Sequence, residues 1–187
     1  MNSIEGVLEI RTGDEVGKLS YGTGQIPFVR TSDISNWEVK LEPKHGLSEE
    51  IYQKFSSKQD VRENDILMVK DGTYLIGTCA LVTNYDTKIV YQSHLYKIRV
   101  LKEEILSPFI LLAALSSRPV IEQIQSKRFT QDIIDTLGKR INELVIPIPK
   151  DCTIVDHIHS IVKKSIDDRV KSRELARHAK VALIEGL

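Results

Sequence analysis

The chain has 187 residues, enough for one globular domain with an appended element and for a core that needs no metal or disulfide. Its 26 Lys and Arg residues balance its 26 Asp and Glu residues. This neutrality excludes the basic excess that is usual in a protein binding nucleic acid strongly by itself, although it allows a locally basic face.

Nothing in the sequence indicates a membrane protein or a secreted one. The longest apolar run, residues 109–115, is too short to cross a bilayer, and no basic-then-apolar leader is recognisable. Cys79 and Cys152 lie far apart without a partner motif, so we expect two buried free thiols in a reducing compartment. We therefore expect a soluble cytoplasmic protein with no membrane partner.

Short apolar runs separated by Gly and Asp predict β-strands near residues 7–10, 26–29, 66–69, 74–82 and 95–101. Several of these runs are almost wholly apolar, which is typical of buried strands. The strands should form the core of the globular part.

Two helix starts are indicated by capping residues. Ser48 precedes an acidic first turn, which suits the helix dipole. Ser107 precedes Pro108, and proline is favoured at the first helical position. The helix after Ser107 should end near residues 116–119, where a second helical piece begins.

The end of the globular part is predicted from two further signals. Thr130 is predicted to cap a short helix over residues 131–137, which Gly138 would close in the left-handed conformation. Pro147 and Pro149 cannot lie inside a central strand or helix, so an extended connector is predicted there. This connector is the only plausible domain boundary.

A long helix is predicted beyond the connector, where Thr153 and Asp156 have the spacing of a capping box. A helix of about thirty residues is about 45 Å long, more than a small globular domain covers. We expect part of its apolar stripe to bind a partner helix; folding back across the sheet as an ordinary core helix is the alternative. The stripe consists of Val155, Ile158, Val162, Ile166, Val170, Ala179 and Leu183.

The sequence lacks the common signatures of DNA-modifying enzymes. It contains neither a methyltransferase's glycine-rich cofactor loop nor its Asn-Pro-Pro-Tyr type of motif. His157 and His159 point to different sides of the predicted helix, so they do not form the i, i+4 pair that zinc favours. Asp65, Lys70 and Asp71 are the nearest approach to a nuclease centre, but Asp71 is better explained by a turn. No cofactor and no metal site is predicted.

Polar loops flank several predicted strands, and they carry side chains that can read base edges: Arg or Lys for guanine, Asn or Gln for adenine. Residues 125–131 also suit phosphate positioning at a helix start, together with one base contact. Trp37 either stacks against DNA or packs as a core or lid aromatic. Ordinary solvation is the alternative for each loop alone, so the prediction depends on one sheet carrying several of them. The candidate DNA-binding residues are Arg30, Thr31, Ser32, Asn36, Trp37, Lys70, Asp71, Thr73, Tyr74, Gln92, His94, Lys127, Arg128, Thr130 and Gln131.

The order and spacing of three sequence blocks resemble the target recognition domain of the specificity (S) subunit of type I restriction-modification enzymes. The blocks are IPFVRTSDI at 26–34, ENDILMVKDG at 63–72, and FTQDII at 129–134 followed by LVIPIP at 144–149. The resemblance implies an α+β fold: a globular mixed α/β recognition domain with a twisted, mainly antiparallel sheet over residues 1–150. One long coiled-coil-type helix for dimerisation or spacing should follow over residues 151–187.

The resemblance also implies a non-catalytic subunit that reads double-stranded DNA in defence against foreign DNA. Its implied partners are a DNA adenine methyltransferase (modification) subunit and a restriction/translocase subunit. A complete specificity subunit has two recognition domains and two long helices, whereas this chain has one of each. We therefore expect a second recognition domain or a homodimer through the C-terminal helix, or else a fragment of a longer chain. The alternatives are a helix-mediated scaffold without DNA specificity and a metal-dependent nuclease at Asp65, Lys70 and Asp71.

Overall fold

The computed structural model describes residues 6–40, 45–72, 74–131 and 133–186. The chain divides between Ile148 and Pro149 into two compact units. Over these residues the first unit contains eleven strands and three α-helices, besides short 3₁₀ turns, and the second contains one α-helix. In chain order they are β1 (Leu8–Thr12), β2 (Ile26–Val29), β3 (Ile34–Ser35), β4 (Glu38–Val39), β5 (Gly46–Leu47), α1 (Glu49–Gln59), β6 (Ile66–Val69), β7 (Cys79–Leu81), β8 (Val90–Tyr91), β9 (Leu95–Val100), α2 (Pro108–Leu115), α3 (Arg118–Lys127), β10 (Phe129–Gln131), β11 (Ile134–Thr136) and α4 (Cys152–Glu185).

The largest sheet has four antiparallel strands in the order β1-β9-β6-β7. Its inner strand β6 has the sequence ILMV, and all four residues are buried. A run of apolar residues without alternation is typical of a strand that is covered on both faces. The predicted α+β fold with a mainly antiparallel sheet is confirmed.

A second sheet places β2 between an antiparallel neighbour, β5, and a parallel neighbour, β8. Successive side chains of a strand point to opposite faces. Phe28 accordingly packs in an apolar cluster with Leu47 and Val90, whereas Val29 packs in the main core with Tyr91. Both faces of β2 are therefore covered, and the loop begins directly after the strand.

The predicted helix starts at Ser48 and Ser107 are confirmed. The Ser48 hydroxyl accepts a hydrogen bond from Ile51 N at 3.4 Å, and the Ser107 hydroxyl accepts one from Phe109 N at 3.2 Å. The helix α2 ends at Leu115 and α3 begins at Arg118, as the sequence indicated.

The helix predicted over residues 131–137 is wrong. This segment belongs to an antiparallel hairpin in which Phe129 of β10 pairs with Thr136 of β11. The hairpin is anchored by a backbone hydrogen bond of 2.9 Å from Gly72 N to Asp135 O and by a β-bridge between Asp71 and Thr136. These distant contacts override the local capping signal.

The strand predicted over residues 74–82 is shorter, since β7 covers Cys79–Leu81. Gly77 has φ 89°, a conformation that L side chains rarely adopt. A Cβ at this position would lie 2.9 Å from Ile124 Cδ1 of α3. The chain therefore turns tightly against α3 before the strand begins.

The long C-terminal helix is confirmed, because α4 has 34 residues and a length of about 51 Å. Its N-cap is Asp151, whose Oδ1 accepts from Thr153 N at 2.8 Å, so the capping box predicted at Thr153 and Asp156 is wrong. Lys163 and Lys164 form i, i+4 ion pairs with Asp167 and Asp168. No helix in the described part of the chain is both long and apolar enough to span a membrane.

The two cysteines differ in environment. Cys79 is buried in β7, and burial raises the pKa of its thiol to about 12. Cys152 is exposed at the first residue of α4, so the expectation of two buried thiols is wrong for Cys152. Both are free thiols.

Candidate nucleic-acid interface

Two of the predicted polar loops leave the second sheet side by side. Val29 of β2 pairs in parallel with Tyr91 of β8, and Gln92 N donates to Val29 O at 2.9 Å. Because parallel strands end at the same edge of a sheet, Arg30 and Gln92 enter their loops as neighbours.

Backbone hydrogen bonds join two more segments to this pair of loops. Lys70 N donates to His94 O at 2.9 Å, and Leu137 N donates to Lys70 O at 3.1 Å. The Gly72–Asp135 bond then ties the hairpin to the end of β6. We call this row of segments the polar edge; it comprises residues 30–32, 70–72, 92–94, 128–131 and 133–136.

Asp71 is the central side chain of the polar edge. It is 7% exposed; its Oδ2 lies 2.7 Å from His94 Nδ1 and 3.2 Å from Lys70 Nζ. Its Oδ1 accepts a hydrogen bond of 2.5 Å from the Thr136 hydroxyl. The turn predicted here accounts for the bend at Gly72, but Asp71 itself is a buried anchor that holds three segments together.

Arg30 contributes an unsatisfied donor to the polar edge. Its Nε is buried and has no hydrogen-bond partner among the described residues. Arg30 N donates to Asp33 Oδ2 at 2.9 Å, which closes a single 3₁₀ turn containing Thr31 and Ser32. A buried donor without a partner costs about 1–3 kcal/mol, so an acceptor from a bound ligand would recover that free energy.

The β10–β11 hairpin presents the remaining amide and hydroxyl groups. The Thr130 hydroxyl donates to Asp135 Oδ1 at 2.8 Å, and Arg128 Nη1 lies 3.8 Å from Asp135 Oδ2. Gln131 is exposed. Lys127, at the end of α3, forms an ion pair of 2.9 Å with Glu143.

Tyr74 also lies beside the polar edge. Its side chain is 93% exposed two residues after Gly72, whereas Thr73 lies outside the described residues. An exposed aromatic ring at a loop is suited to contact a base or a sugar.

Asn36 and Trp37 are placed apart from this row. They form the two-residue turn between β3 and β4, with φ of 50° and 66°, and Leu81 N of the edge strand β7 donates to Trp37 O at 3.0 Å. The Trp37 indole Nε1 donates to the Ser116 hydroxyl at 2.8 Å. These contacts favour the core or lid alternative for Trp37 over stacking against DNA.

The carboxylates suggested for a nuclease centre serve different partners. Asp65 is 1% exposed and accepts a hydrogen bond of 2.7 Å from Arg99 Nε, whereas Asp71 binds His94 and Thr136. Among the described residues, no group of three or more His, Cys, Asp or Glu side chains is arranged to hold a metal ion.

Sequence reasoning missed Tyr96 and Thr136, which support the polar edge from behind. The Tyr96 hydroxyl donates to Gly138 O at 2.5 Å and so fixes the segment that follows the hairpin. Burial raises the pKa of Tyr96 above its usual range, so the hydroxyl keeps its proton. In the sequence Tyr96 looks like any aromatic residue of a β-strand. Its supporting role becomes visible only from its hydrogen bond to Gly138, 42 residues away.

Solved structures that share this fold include three from type I systems. The S subunit of a type I system from M. genitalium has a TM-score of 0.58 and 14% sequence identity, and the match covers 91% of this chain and 39% of that chain. A chain described under complex assembly and conformational transition of the type I R-M system has a TM-score of 0.57 and 16% identity, with 95% of this chain and 40% of that chain covered. The HsdS subunit from Thermoanaerobacter tengcongensis has a TM-score of 0.51 and 18% identity, with 93% of this chain and 38% of that chain covered. This chain thus spans about two fifths of each of them. No curated protein matches the sequence.

A family model matches most of the chain and therefore shows the family as well as the fold. The model described as the type I restriction modification DNA specificity domain matches residues 1–174. The match includes the polar edge, the connector and most of α4. The chain therefore belongs to the family of type I restriction modification DNA specificity domains.

Proposed function

We propose that the first unit reads a specific sequence in double-stranded DNA and carries out no chemistry itself. The observation that carries this proposal is the polar edge: segments from separate strands lie in one row, joined by backbone hydrogen bonds. They present guanidinium, amide and ammonium groups, which are the side-chain types that form paired hydrogen bonds to base edges. A rigid sheet behind such loops holds them at fixed spacing.

Charge on the chain supports a role within a larger assembly. The net charge is zero, and Lys70 and Lys127 of this region already pair with Asp71 and Glu143. Affinity for DNA in the absence of partners should therefore be modest, because phosphate neutralisation supplies much of a DNA binder's affinity. In this proposal, an adenine methyltransferase subunit and a restriction/translocase subunit supply further DNA contacts and the chemistry in the cytoplasm.

The helix α4 is proposed to pair with a second such helix. Several of its apolar side chains are exposed, among them Ile154, Ile161 and Leu175. These three lie seven and fourteen residues apart, the spacing of a coiled-coil seam, and Asp168 occupies the heptad position between Ile161 and Leu175. The predicted stripe through Val162 runs beside this line. The partner helix belongs to a second copy of the chain or to a second recognition domain.

Introducing glutamate at both Ile161 and Leu175 is expected to abolish helix pairing, because each change places a charge in an apolar seam. Sedimentation velocity over a range of concentrations measures the association, and circular dichroism checks that helix content is retained. Lys163→Glu is the matched control, because Lys163 is exposed and lies about 200° around the helix from Ile161, on the side away from the seam. A wild-type chain that stays monomeric at every concentration contradicts pairing with a second copy, and a double variant that associates like the wild type contradicts this seam.

Selection from a random pool of DNA duplexes tests the recognition role. The chain should enrich one short sequence, most strongly when a type I modification subunit is present. A pool without an enriched site under either condition would refute DNA recognition and favour a helix-mediated scaffold.

Replacing Arg30 with alanine is expected to relax the enriched sequence at one position, because one bidentate contact discriminates between bases by about 1–3 kcal/mol. Repeating the selection with this variant measures the relaxation. Arg62→Ala is the control, since Arg62 is exposed at the opposite end of β6 from Lys70. An equal loss of affinity for all sequences would instead assign Arg30 to a phosphate.

A further inference from the structure

A cleft lies between the face of the four-stranded sheet and the segment that follows β11. Its volume is about 290 Å³. The sheet contributes Ile10, Thr12, Lys70 and Tyr96, and the 3₁₀ helix Gly138–Glu143 contributes Lys139, Ile141 and Asn142. The bond from the Tyr96 hydroxyl to Gly138 O holds these two sides together.

Strand alternation decides which side chains face this cleft. Thr12 pairs with Tyr96, and Tyr96 pairs with Met68, so these three side chains share one face of the sheet. Lys70 comes two residues after Met68, and Lys70 N continues the ladder by donating to His94 O. The Lys70 side chain therefore lies on that same face.

Arg11 also borders the cleft, but its charge lies elsewhere. As the neighbour of Thr12 in β1, its side chain points to the opposite face of the sheet. There its Nη2 lies 2.6 Å from Glu9 Oε1. The cations of the cleft are therefore Lys70 and Lys139.

The electrostatic balance of the cleft is positive. No carboxylate is among its lining residues, and within the described part of the chain Lys139 forms no ion pair. Lys70 is 3.2 Å from Asp71, which offsets its charge, so the net positive charge of the cleft comes from Lys139. Two ammonium groups with the Thr12 hydroxyl and the Asn142 amide are donors suited to a phosphodiester anion.

We propose that this cleft binds a backbone phosphate of the DNA duplex that the polar edge reads. The inference rests on the proposed DNA recognition and adds to it a contact that sets affinity and register without discriminating bases. Lys70 connects the two regions: its backbone belongs to the polar edge and its side chain reaches into the cleft. Lys139 has no role in the polar edge, so its substitution isolates the phosphate contact.

Lys139→Gln is expected to weaken binding about threefold to tenfold, equally for the selected duplex and for a scrambled one. It should also lower the slope of log affinity against log salt concentration by about one, because one counterion fewer is released. Fluorescence anisotropy of the full chain with both labelled duplexes, at several KCl concentrations, measures both quantities. Lys139→Arg keeps the charge and should restore both.

Lys102→Gln provides the matched control. Lys102 is exposed just beyond the carboxyl end of β9, about 20 Å along the strand from His94. Its loss should leave the salt slope unchanged. The phosphate site is overturned if Lys139→Gln behaves like Lys102→Gln, or if it weakens only the selected duplex. Failure of DNA recognition gives a different result, because the wild type itself would then not distinguish the two duplexes.

Discussion

Replacing Asp65 with alanine is expected to lower the free energy of unfolding by about 3–5 kcal/mol, because it removes the buried carboxylate that pairs with Arg99 and lies beside the buried ammonium group of Lys97. Asp65 is 1% exposed. Its Oδ1 lies 2.7 Å from Arg99 Nε and its Oδ2 lies 2.8 Å from Arg99 Nη2, a bidentate pair. Oδ2 also accepts a hydrogen bond of 2.8 Å from Arg62 N.

Lys97 is a buried cation that also depends on this carboxylate. Lys97 is 1% exposed, and burial lowers the pKa of its ammonium group while Asp65, 3.9 Å away, opposes that shift. Lys97 Nζ donates to Asp60 O at 2.9 Å and also to Gln59 O, at the carboxyl end of α1. Loss of Asp65 therefore weakens the connection between α1 and the central strands.

Urea denaturation followed by circular dichroism measures this effect. Glu63→Ala is the control, because Glu63 is an exposed acidic residue two positions earlier and surface changes of this kind stay within about 0.5 kcal/mol. A loss below about 1 kcal/mol for Asp65→Ala would show that water or rearranged side chains replace the buried ion pair.

The elements that the sequence predicts well are those with strong local signals. The runs at β2 and β6 are apolar throughout, and Ser48 and Ser107 cap their helices as expected. The sequence predicts a helix over residues 131–137 where the structure has a hairpin, because the hairpin depends on backbone pairing with Gly72 and Asp71, far away in sequence.

The candidate site was predictable in part for the same reason. Arg30, Lys70 and Gln92 could be identified as polar residues at strand ends. Their arrangement in one row depends on the parallel pairing of β2 with β8 and on the bond between Lys70 and His94, which no local pattern encodes. For Trp37 the sequence leaves stacking on DNA and packing on the fold both open, and its hydrogen bond to Ser116 favours packing on the fold.

Replacing Asp71 with alanine is expected to weaken binding of the selected duplex about 10- to 100-fold, or about 1.4–2.8 kcal/mol. The reason is geometric, since Asp71 touches no base in this proposal and instead positions groups that do. Without its carboxylate, His94 and the hairpin at Thr136 lose their shared anchor, and a misplaced donor forfeits its paired contact to a base. Anisotropy with the selected and scrambled duplexes measures the change.

The scrambled duplex separates this positioning role from simple electrostatics. Removing a negative charge beside Lys70 strengthens attraction to phosphates, so affinity for the scrambled duplex should stay constant or rise while affinity for the selected one falls. Thr136→Val removes only one of the anchor's bonds and should produce a smaller loss of the same sign. If Asp71→Ala distinguishes the selected from the scrambled duplex as well as the wild type does, the backbone hydrogen bonds of Lys70 and Gly72 alone hold the polar edge in place. A parallel loss for both duplexes, together with a lowered urea midpoint, would mean that Asp71 acts through folding and not through the geometry of recognition.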